Sequence, residues 1–336
     1  MKVSLLNTKV IQSQNGVALI TVLLIFSMAA VLSTSILTKL NTQIQVTSSS
    51  LNLAQAYQYA RGAESFAVAI LGEDTELQVD HLNEAWAMPL DAFKIDNGML
   101  EMYIVDMQSL FNLNGLVKDK NTPVDEIYRG FTELLTYLKL PKSLASASLD
   151  WIDNDFVASG IDGAEDNHYL SKNPAYRSAN QNFIDNSELM LLPEIDAANY
   201  RQLNVYVSSL PYATQVNVNT ANILTLMTLS DLLDESKAKR IVDARIKAPF
   251  ESVNDFIQLP ELAGIKLSED NLSVASEFYT VYAKVTYAEV VFRFSSLLQR
   301  DTKGRVQVLS RSHLRYENPL NNSIDTNPNS ALGNAT

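Results

Sequence analysis

Cysteine is missing from all 336 residues of the chain. Disulfide bonds, thiolate nucleophiles and cysteine-ligated zinc or iron–sulfur sites are therefore excluded. This absence does not identify the compartment, because an oxidising space permits disulfides without requiring them.

Positive charge is scarce. The chain has 26 Lys and Arg residues against 38 Asp and Glu residues, which gives a formal net charge of −12. Such a surface repels the phosphates of nucleic acids and favours basic partners or bound cations. The hydrophobic share of 46% is ordinary for folded proteins, and the length is sufficient for two or three domains.

Signatures of catalysis are also missing. The sequence has no G-x-S-x-G nucleophile turn, P-loop, H-E-x-x-H zinc motif or dinucleotide-binding glycine pattern. Its histidines, His81, His168 and His313, are far apart in sequence, and we expect His168 to be an isolated surface imidazole. Carboxylate pairs for glycoside hydrolysis leave no sequence pattern, so an enzyme stays an alternative. We predict that the protein is not an enzyme.

One long stretch near the N-terminus lacks charge altogether. Residues 17–38 (VALITVLLIFSMAAVLSTSILT) number 22, and about 20 apolar residues cross a bilayer as a helix. Residues 1–16 before it are polar, carry two lysines and end in Gly16. A secretory signal cleaved near residues 27–30 would end inside the apolar run. A plain signal anchor is compatible with the pattern, and a short leader that ends at Gly16 explains more of it.

Apolar residues continue at helical spacing beyond this stretch. They recur three or four positions apart at Leu53, Ala56, Ala60, Ala63, Ala67 and Ile70. We therefore expect one helix from Val17 to Leu71, about 80 Å long, with Gly72 as its stop. Its first half would lie in lipid and its second half would pack on a globular domain, with Glu64 as a solvated charge.

Alternating patterns predict strands in two distant parts of the chain. The strands are expected at residues 99–106, 278–287, 289–298 and 305–310. The turn Asp301-Thr302-Lys303-Gly304 joins the last two.

These elements predict an α+β fold with a split domain. Residues 39–108 and 278–316 would form a long helix packed on a small antiparallel sheet. Residues 109–277 would be a large, mainly helical insertion. Residues 317–336 are rich in Asn, Pro and Ser and are expected to be a disordered tail.

Acidic residues crowd one part of the insertion, residues 150–192. Only Lys172 and Arg177 oppose carboxylates at Asp150, Asp153, Asp155, Asp162, Glu165, Asp166, Asp185 and Glu188. The spacing is not that of an EF-hand, because Asp155 is followed by Phe-Val-Ala where that motif needs a glycine. Such a loop either binds a hard cation such as calcium, which takes six to eight oxygen ligands, or is a solvated acidic surface. Spacing alone does not decide between the two.

A second part of the insertion, residues 216–265, opens with VNVNTANIL and resembles a helix-hairpin-helix or SAM-like domain. We expect Thr220 to cap a helix at residues 221–229, with further helices at 236–246 and 252–259. DNA-binding members have a glycine-rich hairpin, whereas LSDLLDES in this place has no glycine and three acidic residues. We predict a packing module that binds no nucleic acid, although basic residues cluster at Lys237, Lys239, Arg240 and Arg245.

Several of these segments together resemble the minor pseudopilin K family of type II secretion, whose members are type IV pilin-like. The leader ending at Gly16 is similar to the class III leaders that a prepilin peptidase cuts. Thr21 stands at the fifth mature position, where most pilins carry a glutamate and K subunits typically do not. AYQYARGAESFA (residues 56–67) and the series DWIDND, GAED, YRSAN and SEL within residues 150–189 also resemble the family.

The resemblance implies a subunit of a pseudopilus. Prepilin peptidase would cut between Gly16 and Val17, and the new N-terminus would be methylated. The mature chain would span the inner membrane of a Gram-negative bacterium once, with a periplasmic body. It would cap the pseudopilus tip with the minor pseudopilins I and J and support the export of folded proteins. A minor type IV pilin in adhesion or DNA uptake is the alternative.

The resemblance also implies a structural calcium ion in the acidic loop. The ligand candidates that carry over are Asp153, Asp155, Glu165, Asp166, Asn180 and Glu188. Asp162 is a weaker candidate. Trp151 and Tyr169 would pack around the site.

Overall fold

The computed structural model describes residues 15–119 and 121–313, so the leader up to residue 14 and the tail from residue 314 lie outside the described residues. The helices are α1 (Asn15–Gly72), α2 (Asp125–Tyr137), α3 (Ser143–Ile152), α4 (Asp166–Tyr169), α5 (Ala197–Leu203), α6 (Ile223–Met227), α7 (Glu235–Lys247) and α8 (Val253–Ile257). The strands are β1 (Phe93–Ile95), β2 (Gly98–Asp106), β3 (Phe111–Asn112), β4 (Val117–Lys118), β5 (Thr122–Pro123), β6 (Val207–Ser208), β7 (Val216–Asn217), β8 (Leu272–Ser273), β9 (Phe278–Tyr287), β10 (Val290–Arg300) and β11 (Val306–His313).

Helix α1 has two halves with opposite surroundings. Residues 17–51 are exposed throughout, and the run 17–38 within them is apolar and long enough to cross a membrane by length and composition. The second half buries a narrow face made mostly of alanine, which lets the helix lie close to the sheet. That face consists of Ala56, Ala60, Ala63, Ala67 and Leu71. The helix ends at Gly72, as expected.

The sheet beside α1 is antiparallel, with strand order β1-β2-β9-β10-β11. Its longer strands lie where the alternation predicted them, and β1, which has only three residues, was not predicted. Inward-facing side chains such as Ile104, Val281 and Phe294 bury against the alanine face of α1. The predicted α+β class, a long helix packed on a small antiparallel sheet, is confirmed.

A β-bulge shapes the outer strand β11. Val308 lies opposite Leu298 and Ser310 lies opposite Leu297, so Leu309 is an extra residue without an opposing partner. The extra residue reverses the alternation of side chains along the rest of the strand. As a result Arg311 and His313 reach Glu64 and Tyr57 of α1, whereas Val308 packs against the core of helix and sheet before the bulge.

Between β2 and β9 the chain leaves the sheet after Asp106 and returns at Phe278. Residues 107–277 build a mainly helical core of their own, in which Phe131, Leu135 and Phe256 are fully buried. The predicted helix cap at Thr220 is wrong. Asn222 caps α6 by accepting from the backbone N–H of Thr225, and Thr220 donates instead to the Asp106 carboxylate.

Candidate metal centre

Three carboxylates converge where α3 ends. Helix α3 is buried along almost its whole length, and Asp153 is the extended residue that terminates it. Asp155 lies two residues further on, and Glu165 immediately precedes α4. One oxygen from each of the three side chains lies within 4.8 Å of the others.

Two of these carboxylates are buried without a partner for one oxygen. Asp153 and Glu165 are only 4% and 6% exposed, and Asp153 Oδ1 and Glu165 Oε1 accept no hydrogen bond. Burial, followed by repulsion from neighbouring carboxylates, raises the pKa of Asp153 to about 6 and that of Glu165 to about 7. Asp155 is exposed and forms the open side of the group. Unpaired, buried acceptor atoms of this kind are what a cation would satisfy.

Asp150 fixes the loop that joins Asp155 to Glu165. Its buried carboxylate accepts the backbone N–H of Ser159 at 3.0 Å and that of Ala164 at 2.7 Å. Gly163 passes so close that a Cβ there would lie 2.4 Å from Asp150 Oδ2. Asp150 therefore positions the site through the backbone.

Two further predicted ligands, Asp166 and Glu188, have hydrogen-bond partners outside the three-carboxylate group. Asp166 accepts from Arg177 at 3.1 Å and from the backbone N–H of Ser178 at 3.1 Å. Glu188 accepts from Trp151 Nε1 at 3.0 Å and from the backbone N–H of Ile184 at 2.7 Å. Asp162 is exposed and outside the three-carboxylate group.

Ser178 links two of these side chains to the group. It is buried, and its hydroxyl contacts Glu165 Oε2 at 3.3 Å, Asp166 Oδ1 at 3.4 Å and the side-chain oxygen of Asn180. Asn180 in turn donates to the backbone carbonyl of Asp155 at 3.2 Å. Of the six predicted ligands, the structure thus brings three together, places Asn180 one hydrogen bond away and connects Asp166 to them through the Ser178 hydroxyl. Ser178 was not predicted, although it lies inside the quoted YRSAN segment.

Aromatic rings close the buried side of the site. Trp151 lies edge-on to Tyr169 with ring centroids 5.3 Å apart, and both residues are buried. The expectation that His168 is an isolated surface imidazole holds only in part, because the side chain is half-buried. Its ring packs on Tyr169 at 5.5 Å, its Nε2 is buried without a partner, and burial lowers its pKa.

The chemistry of the group fits a hard divalent cation. Three carboxylates supply oxygen ligands and a formal charge of −3, while Asn180 and the backbone carbonyls of an irregular loop add further oxygens nearby. Burial, together with repulsion between the carboxylates, keeps the pKa values of Asp153 and Glu165 raised. The arrangement is suited to cation binding.

A second group of carboxylates is not suited to binding a cation. It consists of Asp74, Asp80 and Glu84. Arg300 forms ion pairs with both Asp74 and Asp80, so the group already holds a positive charge. Asp80 also accepts from the hydroxyl of Tyr279 at 2.7 Å. This group is a buried structural network.

The basic cluster on α7 is likewise engaged. Arg245 is 5% exposed and donates to the carbonyl of Val218 at 2.8 Å. Lys239 pairs with Glu235, Arg240 pairs with Glu261, and Lys237 donates to a backbone carbonyl. These contacts agree with a packing module and offer no array of free cations to a phosphate backbone.

Comparison with known proteins gives a consistent family. Two models of the type II secretion system protein K match residues 109–212 and 216–275. Type II secretion system protein K of Pseudomonas aeruginosa is 37% identical, over 89% of this chain and 93% of that protein. The Klebsiella pneumoniae protein of the same description is 33% identical, over 88% and 95%. A chain of the crystallised GspK-GspI-GspJ complex from the enterotoxigenic Escherichia coli type 2 secretion system superimposes with a TM-score of 0.69. That match is 25% identical and covers 80% of this chain and 99% of the other.

Proposed function

Because this chain belongs to the type II secretion system protein K family and is a minor pseudopilin, we propose that it caps a periplasmic pseudopilus and supports the export of folded proteins. The observation that carries the proposal is the insertion of residues 107–277 between adjacent strands β2 and β9. A body of that size beside α1 would crowd any subunit stacked above it. The role of the protein is structural, and the carboxylates of the candidate metal centre would stabilise the folded insertion by binding a cation.

Thr21 supports a position at the end of the filament. A glutamate at this place would need the α-amine of a neighbouring subunit, because an unpaired charge in an apolar medium costs several kcal/mol. Thr21 needs no such neighbour, since its hydroxyl donates to the carbonyl of Ala18 at 2.9 Å within α1.

Processing and location form part of the proposal. We propose that prepilin peptidase cuts between Gly16 and Val17 and that the first half of α1 anchors the chain in the inner membrane. N-terminal sequencing of the membrane-bound protein should begin at Val17. A start at Met1, or a start after Ala30, would contradict the processing step.

We further propose that calcium occupies the group formed by Asp153, Asp155 and Glu165. Calcium accepts irregular coordination by six to eight oxygens, which an open loop site supplies more readily than the strict octahedron that magnesium demands. The ion would hold the two ends of the loop together and would neutralise most of the local charge.

The proposed partners are the minor pseudopilins I and J, since the solved relative is a member of a GspK-GspI-GspJ complex. The test is co-purification of the full-length chain in detergent with I and J from the same bacterium, singly and together. Recovery of a three-component complex supports the proposal. Recovery of the chain alone under conditions in which I and J bind each other would contradict it.

A further inference from the structure

A short loop next to the candidate metal centre carries large apolar side chains into solvent. We call residues 154–163 the apolar loop. Phe156 is 71% exposed, Val157 is 73% exposed and Ile161 is 102% exposed. Burial of one such side chain contributes about 1.5–3 kcal/mol of favourable free energy. Burial of all three against a partner would therefore stabilise a complex substantially.

The apolar loop is held in a fixed shape although its side chains touch water. The Asp150 carboxylate accepts the backbone N–H groups of Ser159 and Ala164, which ties the two ends of the Ile161 turn together. Gly160 has a φ of +77°, a conformation that other residues adopt only with strain. The contacts that position the carboxylate group therefore also hold the backbone beneath the exposed apolar side chains. Rigidity in the unbound state lowers the entropy cost of docking.

Charge indicates what kind of surface the loop meets. The loop contains two exposed acids, Asp155 and Asp162, and no basic residue, on a chain of net charge −12. An anionic lipid surface would be repelled. A second copy of this chain is also disfavoured, because it carries the same net charge of −12 and the Lys and Arg side chains clustered on its α7 are engaged with its own acids and carbonyls.

We propose that the apolar loop docks into an apolar recess rimmed by Lys or Arg side chains on a different protein. Ile161 is the central contact, with Phe156 and Val157 beside it, and the exposed Asp162 meets the basic rim. Apolar anchors surrounded by complementary charge are the arrangement expected of a specific protein interface. The proposal needs neither the capping role nor an ion at the metal centre.

The test is site-specific photocross-linking in cells that carry the complete secretion system. The full-length chain receives p-benzoylphenylalanine at position 161, or at position 246 as a control. Ile246 is an isoleucine on α7, 54% exposed, and is not part of the apolar loop. The adducts are then digested, and the partner peptide is identified by mass spectrometry. We expect a protein adduct from position 161 whose contact peptide lies in an apolar recess bordered by Lys or Arg, and none of this kind from position 246.

Charge reversal distinguishes a specific recess from random capture. In the chain that carries p-benzoylphenylalanine at position 161, the additional substitution Asp162→Lys should lower the adduct yield at least about fivefold. The reason is that a lysine would then face the basic rim of the partner. Glu251→Lys, at an exposed acid outside the loop, should change the yield less than about twofold. Melting curves establish that both variants fold. An adduct with lipid or with a second copy of this chain, no adduct, or a yield that Asp162→Lys leaves unchanged would each overturn the proposal.

Discussion

Glu64 shows how far a single residue can depart from its local pattern. On the helix it looks like a solvated charge, yet it is 3% exposed and accepts from Ser296 and from Arg311 at 2.7 Å. Although burial acts to raise its pKa, the hydrogen bonds from Arg311 and Ser296 hold the pKa below its ordinary value. Its partner is 247 residues away and faces α1 only because of the bulge at Leu309. No local sequence pattern contains that information.

We predict that Glu64→Gln destabilises the fold by about 2–3 kcal/mol, because the charged hydrogen bond to Arg311 is lost. The carboxylate has a lowered pKa, so its contribution is present above about pH 4.5 and disappears as the pH falls through the lower folded value. Urea unfolding at pH 7 and at pH 3 measures both effects. Glu73→Gln, at an exposed acid just beyond α1, is the matched control and should have little effect at either pH. An equal loss in both variants would contradict the assignment.

Asp106 joins the sheet to the insertion. Its buried carboxylate accepts from Ser276 at 2.7 Å, from Asn217 at 3.2 Å and from Thr220. The VNVNTANIL segment was predicted only as the start of a helical module, and the structure gives two of its polar residues a second role as this joint. Burial raises the pKa of Asp106 to about 6 from its ordinary 3.8.

The raised pKa of Asp106 predicts a loss of stability with rising pH. The folded state holds the proton more tightly than the unfolded chain, so the penalty appears between about pH 4 and pH 6 and amounts to about 3 kcal/mol. Asp106→Asn cannot titrate and should flatten this part of the stability profile, whatever its cost at low pH. Unfolding free energies at half-unit pH steps, for the wild type and the variant, provide the measurement. Parallel profiles would show that Asp106 titrates normally.

At the scale of elements, the spacing of apolar residues predicted the helix and strands whose pattern lies within one continuous segment of the chain. The long helix and the strands flanking the insertion were expected within a few residues of their observed ends, because their apolar residues repeat at 3.6 or 2 over many turns or pairs. Strand β1 was missed, since three residues carry no measurable alternation. The candidate metal ligands were harder to predict from the sequence. Asp150 and Glu188 have the same side-chain chemistry as Asp153 and Glu165, and only tertiary contacts show that their oxygens are already used.

The acidic loop should respond to calcium as one element. An ion that binds only the folded state adds about 2.7 kcal/mol at one hundred times Kd, so millimolar calcium should raise the melting temperature relative to chelator. The double variant Asp153→Asn with Glu165→Gln should abolish that increase. It should also melt no lower than wild type in chelator, because two mutually repelling buried charges have been removed.

Asp162→Asn is the control for this measurement, because Asp162 is an exposed acid of the same loop outside the carboxylate group. It should keep the full calcium response, and magnesium should replace calcium poorly. Metal analysis of protein that was never exposed to chelator provides an independent reading. Identical melting curves in calcium and chelator, together with no bound metal, would reject the site.

For the whole molecule, the sheet topology allows the capping proposal to be tested by deleting the insertion between β2 and β9. Asp106 and Tyr279 lie opposite each other in the β2–β9 register, so both ends of the inserted chain leave the sheet at the same place. Replacing residues 107–278 by Asn-Gly would join β2 and β9 as a two-residue hairpin, for which that dipeptide is well suited. The ion pairs of Arg300 with Asp74 and Asp80 lie outside the deleted segment and should help the remaining domain to fold.

We predict that cells with this shortened chain assemble longer and more variable pseudopili, because the remaining helix-and-sheet body no longer blocks addition of further subunits. Electron microscopy of the filaments gives the length distribution, and immunoblotting confirms that the shortened chain reaches the membrane at wild-type level. The calcium-site double variant serves as a second comparison, since it retains the bulk of the insertion and should keep wild-type lengths. If filament length and number are unchanged when the whole insertion is absent, the insertion is not what ends the pseudopilus, and the capping role must lie elsewhere in the chain.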